Sequence, residues 1–381
     1  MRLFIVPLLA AIAAAQSPVD PARVERLLER AVVIDLHSDT TQMILEEGFN
    51  LAEAHDYGQV DIPRMRRGRV SAVFLASCPN SRRLTGLESV RRGLEEMDAI
   101  RREVRRHPKD LALATTAGEI LAARKQGRIA VLTGLEGGHI IDSSLAVLRT
   151  FFDLGARYMT LAHFSNTPWA DSSNQPPKSN GLTAFGREVV GEMNRLGMMV
   201  DISHVSDKTF YDALEASSAP VIASHSSCRF YSSHPRNLSD DMLRALAKKG
   251  GVVHINYFNP YLDEKFREGA REVIAFSGPR TGPERRKANA ERLARLGRVP
   301  FSRLLDHFQH AVKVAGADHV GLGSDFDGVS DQLPEGMEDI SKTPNLVRGL
   351  MERGFSDDEI LKILGGNTLR VMHEVEKAAR R

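Results

Sequence analysis

Cysteine is scarce in this chain of 381 residues, which contains only Cys78 and Cys228. Neither lies in a CxxC or Cys/His pattern, and this argues against a zinc finger or a dithiol redox motif. A disulfide between the two is possible in an oxidising compartment. Two unrelated thiols in a large core remain the default expectation, because sequence cannot place the two within bonding distance.

An excess of charge of one sign is also absent. The formal net charge is +2, from 51 basic and 49 acidic residues. Arginine clusters occur at 64–69, 101–106 and 285–298, but acidic residues lie in or near each of them, as on a solvated helix face. No aromatic residues alternate with these arginines to form a stacking platform. The sequence therefore predicts no nucleic-acid partner.

The chain lacks an apolar run long enough to span a bilayer comfortably, which takes about 20 residues. Its most apolar stretch is MRLFIVPLLAAIAAA at residues 1–15, where one Arg precedes an apolar segment that closes on small residues. This pattern is typical of a secretory signal peptide. We expect a secreted or periplasmic protein with no stable membrane span.

Short apolar, β-branched runs alternate with amphipathic segments along the rest of the chain. The pattern predicts strands at residues 32–39, 70–77, 129–136, 157–163, 198–204, 220–226, 251–257 and 319–325. It predicts helices at about 87–106, 142–154, 183–196, 206–217, 239–249, 301–315, 343–352 and 356–363, followed by a closing helix. Residues 16–381 show no linker, which predicts a single domain.

Eight strands with intervening helices predict an α/β fold, a TIM (β/α)8 barrel. A doubly wound open sheet is the alternative. It fits less well, because candidate site residues follow strands one, three, four, five, six and eight, and only closure of the sheet would bring them together. Residues 261–299 are charged and helical in composition, and we interpret them as an insertion, either a lid or a surface elaboration.

Seven ionisable residues lie at or near the ends of six of these runs, where a parallel barrel carries its chemistry. They are His37, Asp39, Glu136, His163, His204, His225 and Asp325. Five of the seven divide naturally into two metal sites that share Glu136. One site takes His37 and Asp39, and the other takes His204 and His225.

Imidazole and carboxylate ligands together suit zinc, although manganese or cobalt could substitute. Two such ions lower the pKa of a shared water and supply a bridging hydroxide at neutral pH. Asp35 lies on the same strand face as His37 and Asp39, one step deeper, and is interpreted as a buried hydrogen-bonding partner. His254 lies inside a run rather than at its end, which indicates a position in the core or behind the ligands, and His139, beside Gly137 and Gly138, resembles a ligand only by its place in the sequence.

Three residues suit substrate handling. His163 could polarise a carbonyl. Arg236 could pair with a substrate carboxylate, although a surface arginine is equally compatible with the sequence. Asp325 could orient the nucleophile and carry its proton to the leaving amine, but Asp327 shares its parity and spacing does not choose between them.

Six stretches of the sequence resemble the membrane dipeptidase family of zinc metallopeptidases. They are IDLHSD at 34–39, GLEGGH at 134–139, LAHFSNTPWAD at 161–171, VDISH at 200–204, ASHSS at 223–227 and GLGSDFDG at 321–328. They span nearly the whole chain in family order. The resemblance implies a TIM barrel with two zinc ions bridged by Glu136 and bound further by His37, Asp39, His204 and His225.

The resemblance also implies that His163 and Arg236 bind substrate and that Asp325, rather than Asp327, is the proton-handling carboxylate. The implied activity is hydrolysis of dipeptides, including those with a C-terminal D-residue. The closest alternative is another hydrolase on the same scaffold, such as a deacylase, a lactonase or a phosphotriesterase-like enzyme. A metal-stabilised binding protein without catalysis is a third interpretation, and a homodimer is a possible assembly.

Overall fold

Parallel strands form the centre of the protein in a computed structural model that describes residues 19–275 and 281–379. The strands are β1 Val33–Ser38, β2 Val70–Ser77, β3 Leu111–Leu113, β4 Ile129–Leu135, β5 Ala156–Thr160, β6 Met199–Asp201, β7 Ile222–Ala223, β8 Val252–Ile255 and β9 Val320–Leu322. Every residue of β1, β2 and β4 is buried. Burial on both faces explains why these strands are continuously apolar rather than alternating.

The sheet closes on itself. The strand order is β2-β1-β9-β8-β7-β6-β5-β4-β3, and a further pairing joins β2 to β4. The short β3 pairs with the first half of β4, from Ile129 to Val131, whereas β5 pairs with the second half. Eight strands therefore complete the ring, and the predicted (β/α)8 barrel is confirmed.

Helices surround the barrel. They are α1 Pro21–Arg30, α2 Thr41–Glu47, α3 Ile62–Arg67, α4 Leu87–Arg106, α5 Ala117–Lys125, α6 Leu145–Asp153, α7 Ala184–Leu196, α8 Asp207–Ala216, α9 Asp240–Lys248, α10 Asn259–Leu262, α11 Arg267–Ala275, α12 Pro283–Leu296, α13 Phe301–Ala315, α14 Thr343–Glu352, α15 Asp357–Leu361 and α16 Asn367–Ala378. Hydroxyl side chains cap many of their N-termini and satisfy otherwise unpaired backbone N–H groups. The capping residues Ser144, Thr183, Ser206, Ser239 and Ser356 lie at or near the predicted helix starts.

Several elements were not predicted. β3 has only three residues, too few to show a periodic pattern. Neither β3 nor α5, which follows it, was predicted. The connection at 40–69 contains the short helices α2 and α3. The strands are also shorter than predicted: β5 ends at Thr160 and β7 has two residues, and His163 and His225 consequently lie in the loops that follow.

The predicted insertion is helical where it is described. It contains the second half of α10, then α11 and α12, while residues 276–280 lie outside the described residues. The predicted signal peptide at 1–15 also lies outside them, and that prediction and the single-domain boundary stay predictions. Within the described ranges, no helix combines the length and apolarity needed to cross a bilayer.

The two cysteines are buried and do not bond to each other, which confirms the default expectation of two unrelated thiols. The thiol of Cys228 lies against the carbonyl of His307 instead.

Candidate active site

The carboxyl ends of the barrel strands bring together the residues that the sequence singles out. His37 lies on β1, while Asp39 and Glu136 follow β1 and β4 directly. His163, His204, His225 and Asp325 lie two or three residues beyond β5, β6, β7 and β9. His204 and Asp325 adopt left-handed backbone conformations, with φ of 66° and 65°. Such conformations are unfavourable for non-glycine residues and often occur at functional sites.

Glu136 lies at the centre of the site. Its Oε1 atom is 3.0 Å from His204 Nε2 and 3.3 Å from His225 Nε2. The same oxygen is 3.6 Å from His37 Nε2 and 3.7 Å from His163 Nε2. One buried carboxylate therefore faces four imidazoles, one from β1 and three from the loops that follow β5, β6 and β7.

A residue of β5 fixes the orientation of the His37 ring. Its Nδ1 atom is 2.8 Å from the hydroxyl of Tyr158, which leaves Nε2 facing the site. Tyr158 has room only because residue 134 is glycine: a Cβ there would lie 1.9 Å from the Tyr158 ring. Neither contact was predicted, although Gly134 belongs to the stretch on which the family resemblance depends.

His225 is oriented by a buried chain of hydrogen bonds. Its Nδ1 atom is 2.7 Å from the hydroxyl of Ser224, and Ser224 donates that hydroxyl to Asp201 Oδ2 over 2.6 Å. Because the hydroxyl proton is used on Asp201, Nδ1 of His225 carries the proton and Nε2 is left with a lone pair toward Glu136. This chain of hydrogen bonds was not predicted, although Asp201 precedes His204 by three positions, much as Asp35 precedes His37 by two.

Asp35, on the side of the barrel opposite Asp201, is a buried hydrogen-bonding partner, as predicted. It accepts the backbone N–H of Ser324 over 3.0 Å and the Ser324 hydroxyl over 2.5 Å. It therefore joins the end of β1 to the segment that carries Asp325.

Burial and charge set the protonation of the imidazoles. Burial lowers the pKa of His204 and His225 well below the usual value, and both are therefore neutral at pH 7. Burial also opposes the charging of His37, but the carboxylates led by Glu136 outweigh it and raise the pKa of His37. The pKa of Glu136 is lowered well below its usual value, because His163 and His37 overcome the effect of burial.

The two candidate proton-handling carboxylates are separated by the fold. Asp325 lies in the site, with Oδ1 3.9 Å from His37 Nε2 and Oδ2 accepting from the side chain of Asn256 over 2.8 Å. Burial raises the pKa of Asp325 to about 6. Asp327 instead accepts from the hydroxyl of Thr40 and the backbone of Gln59, and it does not line the cavity.

Arg236 is buried beside the site rather than exposed on the surface. Its guanidinium donates to the carbonyl of His225 over 3.0 Å and to the hydroxyl of Ser226 over 3.3 Å. It also faces the ring of Tyr261, whose centre is 5.3 Å from Cζ. Tyr261 itself lines the cavity, whereas Arg236 does not.

The cavity at the site is narrow, at about 50 Å³. Its walls include Asp39, Glu136, His163, His204 and Asp325, and Phe164, Phe258 and Tyr261 close it. Tyr261 belongs to α10, at the start of the predicted insertion, which therefore reaches the site.

The two alternative histidines do not join this cluster. His139 Nε2 is 3.0 Å from the carbonyl of Pro79. His254 is buried on β8, where its ring bonds the carbonyl of Ala223 and the hydroxyl of Thr368. Both were predicted to be poorer candidates than the residues at the strand ends.

The side chains at the site fit a metal. Among the described residues, two of the three groups of ligand atoms that lie within 4.8 Å of one another consist of predicted site residues: His37, Glu136 and His225 form one, and His37, Asp39 and Asp325 form the other. Among the described residues, His37 Nε2 and Glu136 Oε2 are buried without a hydrogen-bond partner. Neutral imidazoles and ionised carboxylates are the forms that bind cations.

A closed (β/α)8 barrel whose strand ends gather imidazoles and carboxylates defines a metallohydrolase. The chain belongs to the membrane dipeptidase family, peptidase family M19, whose model matches residues 21–381. It is therefore a metallopeptidase of the dipeptidase class.

Individual relatives agree with this assignment. The chain is 37% identical over 378 residues to an uncharacterised dipeptidase of Schizosaccharomyces pombe, and the match covers 94% of this chain and 83% of the relative. A probable dipeptidase of Pseudomonas aeruginosa has a similar structure, with a TM-score of 0.81 and 26% identity over 94% of this chain and 99% of that one. A metallopeptidase of Rhodobacter sphaeroides, solved with a phosphinate mimic of L-Ala-D-Ala, superposes with a TM-score of 0.78 at 24% identity, over 91% of this chain and 99% of that one.

Proposed function

We propose that this protein hydrolyses dipeptides, including those with a C-terminal D-residue, with the help of two zinc ions. The observation that carries the proposal is the position of Glu136, whose carboxylate faces His37, His163, His204 and His225 within 3.7 Å. A carboxylate has two oxygens and can bridge two cations.

We assign five ligands to the two ions: His37, Asp39, Glu136, His204 and His225. Manganese or cobalt could replace zinc, because imidazole and carboxylate ligands accept each of them. When bound, the ions would lower the pKa of a bridging water and supply hydroxide at neutral pH. The hydrogen bonds that the rings of His37 and His225 make with Tyr158 and Ser224 keep the two rings turned toward this position.

The remaining residues act on the substrate. His163 lies on the cavity wall, and its Nε2 is suited to donate to a peptide carbonyl as negative charge develops on the oxygen. Asp325 also lines the cavity and, with a pKa of about 6, can take a proton and pass it to the leaving amine. Asn256 holds one oxygen of Asp325 and leaves the other for that transfer.

Arg236 is assigned to the α-carboxylate of the dipeptide. Its guanidinium is buried within a few ångströms of His225, where a carboxylate would gain a strong, charge-assisted pair. Tyr261 lies over it, so substrate must displace this ring to reach the guanidinium. The Rhodobacter protein binds a mimic of a dipeptide that ends in a D-residue, which supports a substrate of the same kind here.

Export is proposed from the sequence pattern of the N-terminal segment. The proposed assembly is a homodimer. The mass of the protein purified from the producing cell would test cleavage near residue 15, and sedimentation would test the assembly.

The experiment for the activity is a panel of L,L- and L,D-dipeptides, each with a matched C-terminally amidated form, assayed before and after chelation. We expect turnover of unmodified dipeptides that chelation abolishes and two equivalents of zinc restore. Turnover that is insensitive to chelation, or none after zinc is restored, would overturn the proposal. Preferential hydrolysis of a lactone or phosphotriester would favour the alternative scaffold activity.

A further inference from the structure

The end of β2 carries a potential ligand that the assigned site does not use. Cys78 follows β2 directly, and its residue is only 1% exposed. The sequence pattern around it suggests no chemistry. Closure of the barrel, however, pairs β2 with β4 and thereby brings Cys78 next to the strand that ends at Glu136.

Cys78, Glu136 and His163 form a compact group. One ligand atom from each lies within 4.8 Å of the others, and all three residues are buried. The thiol sulfur is 4.0 Å from His163 Nδ1, which is therefore the ring nitrogen placed to share an ion with Cys78. The other ring nitrogen, Nε2, is 3.7 Å from Glu136 Oε1. The other Glu136 oxygen, Oε2, is buried without a hydrogen-bond partner.

This group differs chemically from the five assigned ligands because it contains sulfur. Thiolate, imidazole and carboxylate together form a ligand set that favours borderline and soft cations such as Zn²⁺, Co²⁺ and Cd²⁺ over Mg²⁺ or Ca²⁺. Three protein ligands leave a fourth position for water, as in zinc sites with one open position.

We propose that Cys78, His163 and Glu136 form a third cation site, which zinc-like ions occupy when they are in excess by taking Glu136 from the assigned pair. Binding releases the thiol proton to solvent and replaces water ligands of the incoming ion with the three side chains. The inference rests on the proposed function, because Glu136 is shared with the assigned pair of ions.

Occupation of the third site inhibits turnover. It draws on Glu136, which the proposed function assigns to both ions, and on His163, which is assigned to the substrate carbonyl. Excess zinc therefore acts as an inhibitor that competes for side chains of the active site, and the thiol makes this inhibition sensitive to the choice of metal. Mg²⁺ in the same excess is expected to have no effect.

The presence of only two cysteines makes the test direct. Apoprotein is titrated with Co²⁺, and thiolate-to-cobalt charge-transfer absorption is recorded alongside turnover. We expect no such band during the first two equivalents, then a band that grows as turnover falls. Replacement of Cys78 by serine (Cys78→Ser) should remove the band and weaken the inhibition by about tenfold or more, at least the cost of losing an outer-shell partner.

Cys228→Ser is the matched control, because Cys228 is the only other thiol and lies against His307, away from the site. This variant should keep both the band and the inhibition. A band that survives Cys78→Ser but disappears in Cys228→Ser would overturn the proposal, as would the absence of any band in the wild-type protein at excess Co²⁺.

A second measurement needs no variant. Crystals of the wild-type protein soaked in excess Cd²⁺ should show an anomalous peak between Cys78, His163 and Glu136, and the absence of that peak would reject the site. Failure of the first two equivalents to bind would instead count against the proposed function, which keeps the two outcomes distinct.

Discussion

At the scale of single residues, Asp325 and Asp327 are two positions apart yet have different surroundings. Asp325 lines the cavity, while Asp327 bonds Thr40 and Gln59 outside it. We predict that Asp325→Asn keeps both metal ions but lowers kcat by about 10²–10⁴-fold, the usual contribution of a general acid–base group. Metal analysis and steady-state kinetics check this.

The matched control for that prediction is Asp327→Asn, the same substitution two residues away. It should retain most of the turnover, since Asp327 touches neither the cavity nor the assigned ligands. Comparable losses in the two variants, or an empty metal site in Asp325→Asn, would contradict the assigned role.

Arg236 is a second test at the residue scale. A charge-assisted hydrogen bond contributes about 1.5–3 kcal/mol, and we therefore predict that Arg236→Ala lowers kcat/KM for unmodified dipeptides by roughly 10- to 150-fold. The effect should be much smaller for C-terminally amidated dipeptides, which lack the carboxylate. An equal loss on both substrate types would show that Arg236 supports the site without pairing with the substrate.

At the scale of elements, the strands hold each other's ligands in place. Asp201 of β6 orients His225 after β7 through Ser224, and Tyr158 of β5 orients His37 of β1. These hydrogen bonds join different strands. A substitution on one strand should therefore change the orientation of a metal ligand carried by another.

We predict that Gly134→Ala destabilises the protein by about 1–3 kcal/mol, as overpacking in a core does. The new methyl group would meet the Tyr158 ring at 1.9 Å. Because Tyr158 orients His37, the affinity for metal should fall as well, by about 10–100-fold. Denaturant unfolding of the apoprotein and competition with a chromogenic chelator measure the two effects separately.

Gly191→Ala provides the control for that variant. Gly191 is exposed within α7, with nothing within 4 Å of the added methyl group. The Gly191→Ala variant should be about 0.5–1 kcal/mol more stable, because alanine has a higher helix propensity than glycine. Its metal affinity should be unchanged. Loss of metal affinity in both variants would mean that the effect of Gly134→Ala is not specific to Tyr158.

At the scale of the whole molecule, buried neutral histidines link the layers of the fold. His307 on α13 accepts the backbone N–H of Cys228 at Nδ1 and donates from Nε2 to the carbonyl of Leu262. His254 on β8 donates to the carbonyl of Ala223. Burial lowers the pKa of each of the two histidines from 6.5 to about 3.

Because of these two histidines, we expect the folded protein to lose stability in acid. Below pH 6.5 the unfolded chain binds a proton at each imidazole, whereas the folded chain does not until about pH 3. The free energy of unfolding should therefore fall as the pH drops from 6.5 to 3, by up to about 1.4 kcal/mol per pH unit for each histidine. Denaturant titrations of the apoprotein at several pH values measure this slope.

His254→Asn should make the slope shallower, because asparagine can still donate to the carbonyl of Ala223 but does not titrate. His373→Asn serves as the control, since His373 is exposed on α16. An unchanged slope in His254→Asn would show that other groups dominate the loss of stability in acid.

The sequence alone predicted the barrel, since eight buried runs separated by capped helices have few other ways to cover both faces of a parallel sheet. It also determined which residues meet, because the carboxyl ends of parallel strands share one face. Segments too short to show a period, such as β3, could not be found in this way.

The contacts between the strands, in contrast, are established only when the chain folds. Asp325 and Asp327 have the same parity, and the turn that separates them is set by contacts with Thr40 and Gln59 from another part of the chain. The roles of Tyr158, Ser224 and Asp201 behind the imidazoles, and the approach of Cys78 to His163, depend equally on closure. Such contacts join residues remote in sequence, and no local pattern encodes them.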